Sequence, residues 1–172
     1  MTSNLHPIFV HFPIALLFIY SIIKILPFKK WFPRIDWRDI EFVFLLLGFL
    51  GALVSLSTGE TAQHLTRPNR ALVSAHSNFA GIATFLYGAL LAGEIFYIFN
   101  QKILSNHVLV LGIKKITLPL EKILCNNIFS ALLALVALVC MTVTGLLGGA
   151  LVYGTSADPL ASFVLRILKI TL

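Results

Sequence analysis

Residues 5–26, LHPIFVHFPIALLFIYSIIKIL, decide the fold class of this chain. From Ile8 to Leu26 the segment is long and apolar enough for a helix that crosses about 30 Å of hydrocarbon. No Lys or Arg precedes Lys24, so the basic region that opens a signal peptide is missing. The segment is therefore interpreted as a membrane span that the mature protein keeps.

Three more apolar stretches follow, at about residues 40–57, 71–99 and 123–147. Hydrophobic residues make up 58% of the 172, charged residues make up 12%, and the mean hydropathy is +0.93. Soluble domains have a smaller hydrophobic fraction, typically about 45–50%. The sequence predicts an all-α integral membrane protein, a four-helix bundle built by one domain over residues 1–172.

The basic residues indicate how the bundle crosses the membrane. Nine of the thirteen lie between spans one and two or between spans three and four: Lys24, Lys29, Lys30, Arg34, Arg38, Lys102, Lys114, Lys115 and Lys122. The positive-inside rule makes these connections cytoplasmic and puts both termini outside, on the periplasmic side of a bacterial inner membrane. This distribution explains the net charge of +6 by the lipid bilayer, without nucleic acid.

Two further patterns concern helix packing. Asp158 and Pro159 are typical of a helix start, and apolar residues recur on one face after them, so an interfacial helix is expected at about 159–171. Small residues four apart predict close helix contacts. The pairs are Gly48 with Ala52, Gly51 with Ser55, and Gly145 with Gly149.

Four of the five histidines fall at the outer side of the predicted topology: His6, His11, His64 and His76. His11 and His76 lie inside spans, where a histidine is costly unless it is neutral and has a partner. Each is about one turn below the outer boundary, so we expect the two rings to face each other. Pro13 should bend the first helix, because its ring crowds the carbonyl of Phe9.

Small residues at helical spacing follow His76, from Ala80 to Ala92. They would leave room for a flat macrocycle, or they could mark a close helix–helix contact. The first reading makes the chain a b-type haem protein that carries single electrons near the outer face, with His11 and His76 as axial ligands. On this interpretation, the chain is expected to be an electron-transfer subunit more than a stand-alone enzyme.

The residues around this candidate site suggest supporting roles. Arg67 and Arg70 could pair with haem propionates. Tyr153 could hydrogen-bond a propionate or a ligand histidine, and His6 could start the helix or support the ligands from beside them.

Two alternatives use the same outer residues. In the first, no cofactor is bound, and His6, His11, His76 and Tyr153 form a hydrogen-bond network in a structural or assembly subunit of a membrane complex. In the second, His6, His11, Glu60 and His64 bind a transition metal.

The opening LHPIFVHFPIALL, the segment STGETAQHL with His76 downstream, and the ending GLLGGALVYG resemble a family. It is a widespread bacterial domain-of-unknown-function family of four-span membrane proteins. The matching positions are His6, Pro7, His11, Pro13, His76, Gly148, Gly149 and Tyr153, whereas Ser77 and Gly154 depart from the pattern. The resemblance implies an electron-carrying module, because relatives look to be joined to Rieske iron–sulfur or cytochrome c domains. A periplasmic redox protein of these kinds is the partner that it implies.

Overall fold

A computed structural model describes residues 6–66, 69–102, 108–154 and 158–170, without the side chains of residues 7, 61–66, 102, 108 and 109. Within those ranges the chain is helical and has no strand. The helices are α1 (His6–Ile25), α2 (Phe28–Trp31), α3 (Trp37–Thr66), α4 (Arg70–Lys102), α5 (Val108–Leu124), α6 (Asn127–Tyr153) and α7 (Pro159–Ile167).

Four of these helices are long and apolar enough to cross a membrane, which confirms the all-α, four-span prediction. The spans are Ile8–Ile25, Trp37–Glu60, Arg70–Gln101 and Asn127–Tyr153. The bundle packs α1 on α3 and α4 on α6, and the two pairs meet through α1 with α6 and α3 with α4. Neighbouring helices run in opposite directions, so His6 and α7 share one end of the bundle, here called the histidine end.

The helix that contains the second span continues well beyond the predicted limit at residue 57. The hydroxyl groups of Ser57 and Thr58 donate to the backbone carbonyls of Val54 and Ser55, at 2.8 and 3.0 Å. These bonds let polar side chains sit in a helix without leaving their hydroxyls unpaired. The segment after residue 57, which the sequence assigned to the connection between spans two and three, therefore continues α3 to Thr66.

Helix α5 was not predicted, since its lysines were assigned to a connection between spans. Thr117 is buried and donates to Asn100 Oδ1 of α4 at 2.8 Å, and Asn100 Nδ2 donates to Glu121 at 2.6 Å. Asn126 then caps α6 by accepting from two backbone amides, so α6 begins at Asn127 instead of about residue 123.

Helix α7 covers the histidine end of the bundle. Asp158 accepts a hydrogen bond from the Leu160 amide at 2.8 Å, and Pro159 occupies the first turn. Ala161 and Leu165 are buried against a cluster that includes Leu147. The helix has the predicted start, but it ends at Ile167, short of the expected 171.

Pro13 does not interrupt α1, and the backbone carbonyl that it leaves without an amide donor has a hydrogen-bond partner on α3. The carbonyl of Phe9, which a proline four residues later cannot reach with an amide, accepts from Ser55 Oγ at 3.2 Å. A Cβ on Gly51 would lie 3.2 Å from the Pro13 ring, so the absence of a side chain there permits this approach.

The tightest glycine contact in the α1–α3 pair is at Gly48, where a Cβ would lie 2.7 Å from Leu17. Gly145 and Gly149 of α6 have no such neighbour within 4 Å. The small-residue pattern therefore marks a close contact on α3. On α6 it does not, because the glycine that packs there is Gly148, against His76.

Replacing Gly48 with alanine should destabilise the bundle by about 1–3 kcal/mol, because the added methyl group overlaps the buried Leu17 side chain. Gly145→Ala is the matched control, with open space and an expected gain of roughly 0.5–1 kcal/mol in helix stability. Thermal unfolding in detergent measures both. Equal effects of the two substitutions would contradict the α1–α3 contact.

Candidate functional site

His76 lies in the second turn of α4 and is held by α6. Its Nδ1 is 3.0 Å from the backbone carbonyl of Thr144. Because a carbonyl can only accept, Nδ1 carries the hydrogen and the lone pair lies on Nε2. A Cβ on Gly148 would lie 3.2 Å from the ring, so a glycine at that position lets the imidazole pack flat against α6.

His6 is held in the same way by α3. Its Nδ1 is 3.0 Å from Thr58 Oγ1, and the Thr58 hydroxyl already donates to the Ser55 carbonyl. When the Thr58 hydroxyl donates to Ser55, His6 donates through Nδ1, and in that tautomer the lone pair is on Nε2. Gly59 lies beside the ring, with a Cβ position 3.3 Å from Cε1.

His6 of α1 and His76 of α4 lie at the same end of the bundle, and each ring is only partly buried. In both, a hydrogen bond fixes the ring and selects the tautomer whose Nε2 can bind a metal. This is the arrangement by which proteins orient histidine ligands.

His11 occupies a different side of α1 from the one expected. Pro13 and Leu17 are buried against the bundle, whereas His11 is exposed at the surface of the chain. At about 100° per residue, His11 lies some 200° around the helix from Pro13. The expected meeting of His11 and His76 across the core is therefore not the arrangement in this structure.

The other candidate residues are more dispersed. Glu60, Arg70 and Tyr153 are exposed, and Tyr153 is 74% accessible at the last residue of α6. The backbone of His64 belongs to α3, while its side chain and the whole of Arg67 lie outside the described residues. In the part of the chain that the structure describes, His, Cys, Asp and Glu form no group of three that could hold a metal ion.

Neighbouring side chains occupy space beside the small residues that follow His76. Ala83 and Tyr87 belong to the buried core, and a Cβ on Gly88 would lie 2.9 Å from the Phe49 ring of α3. Around Ala83 and Gly88, the small residues therefore mark a close contact between helices. A macrocycle does not fit between the helices there, and ligands on His6 and His76 have to be accommodated at the end of the bundle.

A second polar cluster, at what we call the ionic end, was not found from the sequence. Glu41 of α3 is 1% exposed, and Lys24 of α1 donates to its Oε2 at 3.0 Å. The Lys29 ammonium lies 3.0 Å from Oε1 in an ion-pair contact that falls short of hydrogen-bond geometry. Lys24 also lies 4.0 Å from Glu94 of α4, so one ammonium is shared by two buried carboxylates.

Arg38 completes the ionic end. Its guanidinium holds Glu94 through Nε at 3.0 Å and through a second nitrogen at 2.9 Å. The same group lies over the Tyr97 ring, 3.2 Å from its centroid, as in cation–π pairs. The sequence signal was a matched spacing: eighteen residues, or five helical turns, separate His6 from Lys24 and His76 from Glu94.

The comparisons with known proteins give the family and nothing beyond it. A family described as predicted membrane protein (DUF2231) matches residues 2–158. The chain belongs to the DUF2231 family. Neither a curated protein nor a solved structure matches it. For this DUF2231 protein, function has to be argued from the two polar ends.

Burial lowers the pKa of His6 below its usual 6.5, and a hydrogen bond to the Ser55 backbone offsets part of that effect. The folded protein therefore keeps His6 neutral at a pH where the unfolded chain would already bind a proton. Its contribution to stability is complete above about pH 6.5 and is lost as the pH falls toward the lower folded pKa.

We expect the unfolding temperature of the DUF2231 protein to fall between about pH 7 and pH 5.5, with His6 responsible for part of the decrease. His6→Gln keeps a donor for Thr58 but cannot titrate, so its unfolding temperature should vary less with pH. Melting curves of both proteins in one detergent measure the difference. An unchanged pH dependence in the variant would contradict the assignment.

At the ionic end, Lys24→Met should cost about 3–5 kcal/mol, because it leaves the buried Glu41 without its hydrogen-bonded cation. The double variant Lys24→Met/Glu41→Leu should recover most of that loss, since Arg38 still neutralises Glu94. A double-mutant cycle by chemical unfolding measures the coupling. Additive effects of the two substitutions would show that the pair is not coupled.

Proposed function

We propose that this DUF2231 protein is a b-type haem protein of the bacterial inner membrane that carries single electrons at its histidine end. The proposed iron ligands are His76 and His6, with His6 taking the role that the sequence suggested for His11. The observation that carries the proposal is the oxygen atom that lies 3.0 Å from Nδ1 of each ring, because a bond donated by Nδ1 gives the tautomer with its lone pair on Nε2. A haem bound there supplies a one-electron couple.

The donor set suits haem iron better than a bare metal ion. The porphyrin provides four nitrogens, so two imidazoles from α1 and α4 are enough. A transition-metal site of His6, His11, Glu60 and His64 would need the His64 side chain, which lies outside the described residues, and His11 and Glu60 are both exposed. The haem would have to lie at the end of the bundle, since Ala83 of α4 is buried in the core and Phe49 packs on Gly88 farther along that helix.

The residues of the chain have distinct tasks in this proposal. Thr144 and Thr58 hold the two Nδ1–H groups, which fixes the rings and raises the basicity of Nε2. Burial of His6 lowers its pKa and so keeps the ring neutral, the form that can bind iron. Gly148 and Gly59 leave space beside the rings.

The charge pattern and the resemblance support a partner and a side of the membrane for this proposal. By the positive-inside rule, the basic connections favour the periplasm for the histidine end and both termini. A soluble periplasmic cytochrome or a Rieske-type protein could exchange electrons there with an exposed haem edge. Arg70 and Tyr153, both exposed near that end, remain candidates to hold propionates, as does Arg67 from the sequence.

The visible spectrum of protein purified from haem-replete cells tests the proposal. We expect a Soret band with sharp reduced α and β bands that are lost in His76→Ala and in His6→Ala. His11→Ala should retain them. Loss of the bands in His11→Ala, with His6→Ala unaffected, would restore the ligand pair expected from the sequence.

A structural or assembly subunit is the second candidate, favoured by the hydrogen bonds that His6 and His76 already make to α3 and α6. In that case the purified protein contains no iron and is colourless. The two alanine variants then lower the unfolding temperature, at typically about 1 kcal/mol for each contact. A folded, iron-free preparation would exclude the haem proposal.

A further inference from the structure

The connection between α1 and α3 is a compact group of aromatic rings at the ionic end. Phe28 lies 5.2 Å from Trp31 and 5.3 Å from Trp37, measured between ring centroids, and Phe32 lies 6.3 Å from Trp37. Trp37 Nε1 donates to the Phe32 carbonyl at 2.9 Å, which ties the start of α3 back to this turn. We call these four rings the aromatic platform.

Phe28 and Trp37 of the platform are half-buried, and the apolar groups at its edge are exposed. Trp31 is 56% exposed, Phe32 is 51% exposed, and Ile35 just beyond them is 43% exposed. Because α1 ends at Ile25 and α3 begins at Trp37, these apolar groups lie at the level where the spans leave the hydrocarbon. Aromatic residues at that depth are typical of contacts with lipid headgroups and the upper acyl chains.

Two cations accompany the exposed rings. Lys30 and Arg34 are exposed, and within the described residues neither makes an ion pair. The neighbouring Lys29 and Arg38 differ from them, because their charges are already committed to Glu41 and Glu94. The platform thus presents two positive charges outside the ion pairs beside apolar rings, with the exposed carboxylates of Asp36 and Asp39 following in the chain.

We propose that the aromatic platform, with Lys30 and Arg34, is a binding site for the headgroup of an anionic phospholipid. The rings of Trp31 and Phe32 enter the upper acyl region, while the two cations contact the phosphate and the charged headgroup. Each cation near an anionic surface contributes enough for about a fivefold preference. This site is independent of whether the histidine end binds haem.

The chain has two tryptophans, and both belong to the platform, so intrinsic tryptophan fluorescence reports on this region alone. The experiment reconstitutes the full chain into phosphatidylcholine vesicles that contain a brominated lipid, which quenches rings that it touches. Brominated phosphatidylglycerol is compared with brominated phosphatidylcholine at equal mole fraction. We expect stronger quenching by the anionic lipid.

Lys30→Gln and Arg34→Gln should each reduce that preference about fivefold, and the double variant should reduce it further toward equality. The charge-conserving double variant Lys30→Arg/Arg34→Lys should keep it. Arg166→Gln/Lys169→Gln, at the exposed C-terminal end near the other side of the bundle, is the matched control and should also keep it.

Three results would overturn the proposal. Equal quenching by the two brominated lipids would show no preference for anionic headgroups. An unchanged preference in Lys30→Gln/Arg34→Gln would show that these cations do not carry it. Relief of quenching by millimolar inorganic phosphate would show that the site takes a free anion instead of a lipid.

Discussion

The absence of water in the hydrocarbon is the constraint on which this structure depends. Polar side chains that enter a bundle must find partners there, and the chain gathers them in two layers. His6 and His76 form one layer, and Lys24 and Glu94 contribute to the other, about 27 Å farther along the helices. That separation is close to the thickness of a hydrocarbon core. A hydrocarbon core of that thickness fits between the two layers, and apolar packing fills most of that length.

The two layers serve different purposes. Ionic groups at the second layer are paired with one another, and the ammonium of Lys24 is shared between carboxylates from two helices. The histidine layer, by contrast, is built from imidazole rings that contact a hydroxyl and a backbone carbonyl. Each ring has an oxygen atom of a neighbouring helix 3.0 Å from Nδ1, a contact that favours the tautomer with its lone pair on Nε2. That asymmetry is why the histidine end is the candidate for ligand chemistry, whereas the ionic end joins helices.

The sequence predicted the helices that span the membrane because apolar run length is a strong, local signal. It predicted the wrong face for His11, because the inward face of α1 is set by the packing of Pro13 and Leu17 on α3. That packing depends on tertiary structure and cannot be inferred from the local sequence. Glu41 and Glu94 were missed for a related reason. Hydropathy windows tolerate single acids, and the positive-inside rule counts only bases, so buried ion pairs between distant segments leave little trace.

The shared ammonium of Lys24 also bears on how the chain enters the membrane. Glu41 follows Lys24 by seventeen residues, so α1 and α3 can insert as one hairpin whose opposite charges already meet. Arg38 has its carboxylate partner on α4, which is synthesised later. Its charge is fully matched within the bundle only after the third span arrives. The first hairpin therefore carries the unmatched charge of Arg38 until Glu94 of α4 reaches it.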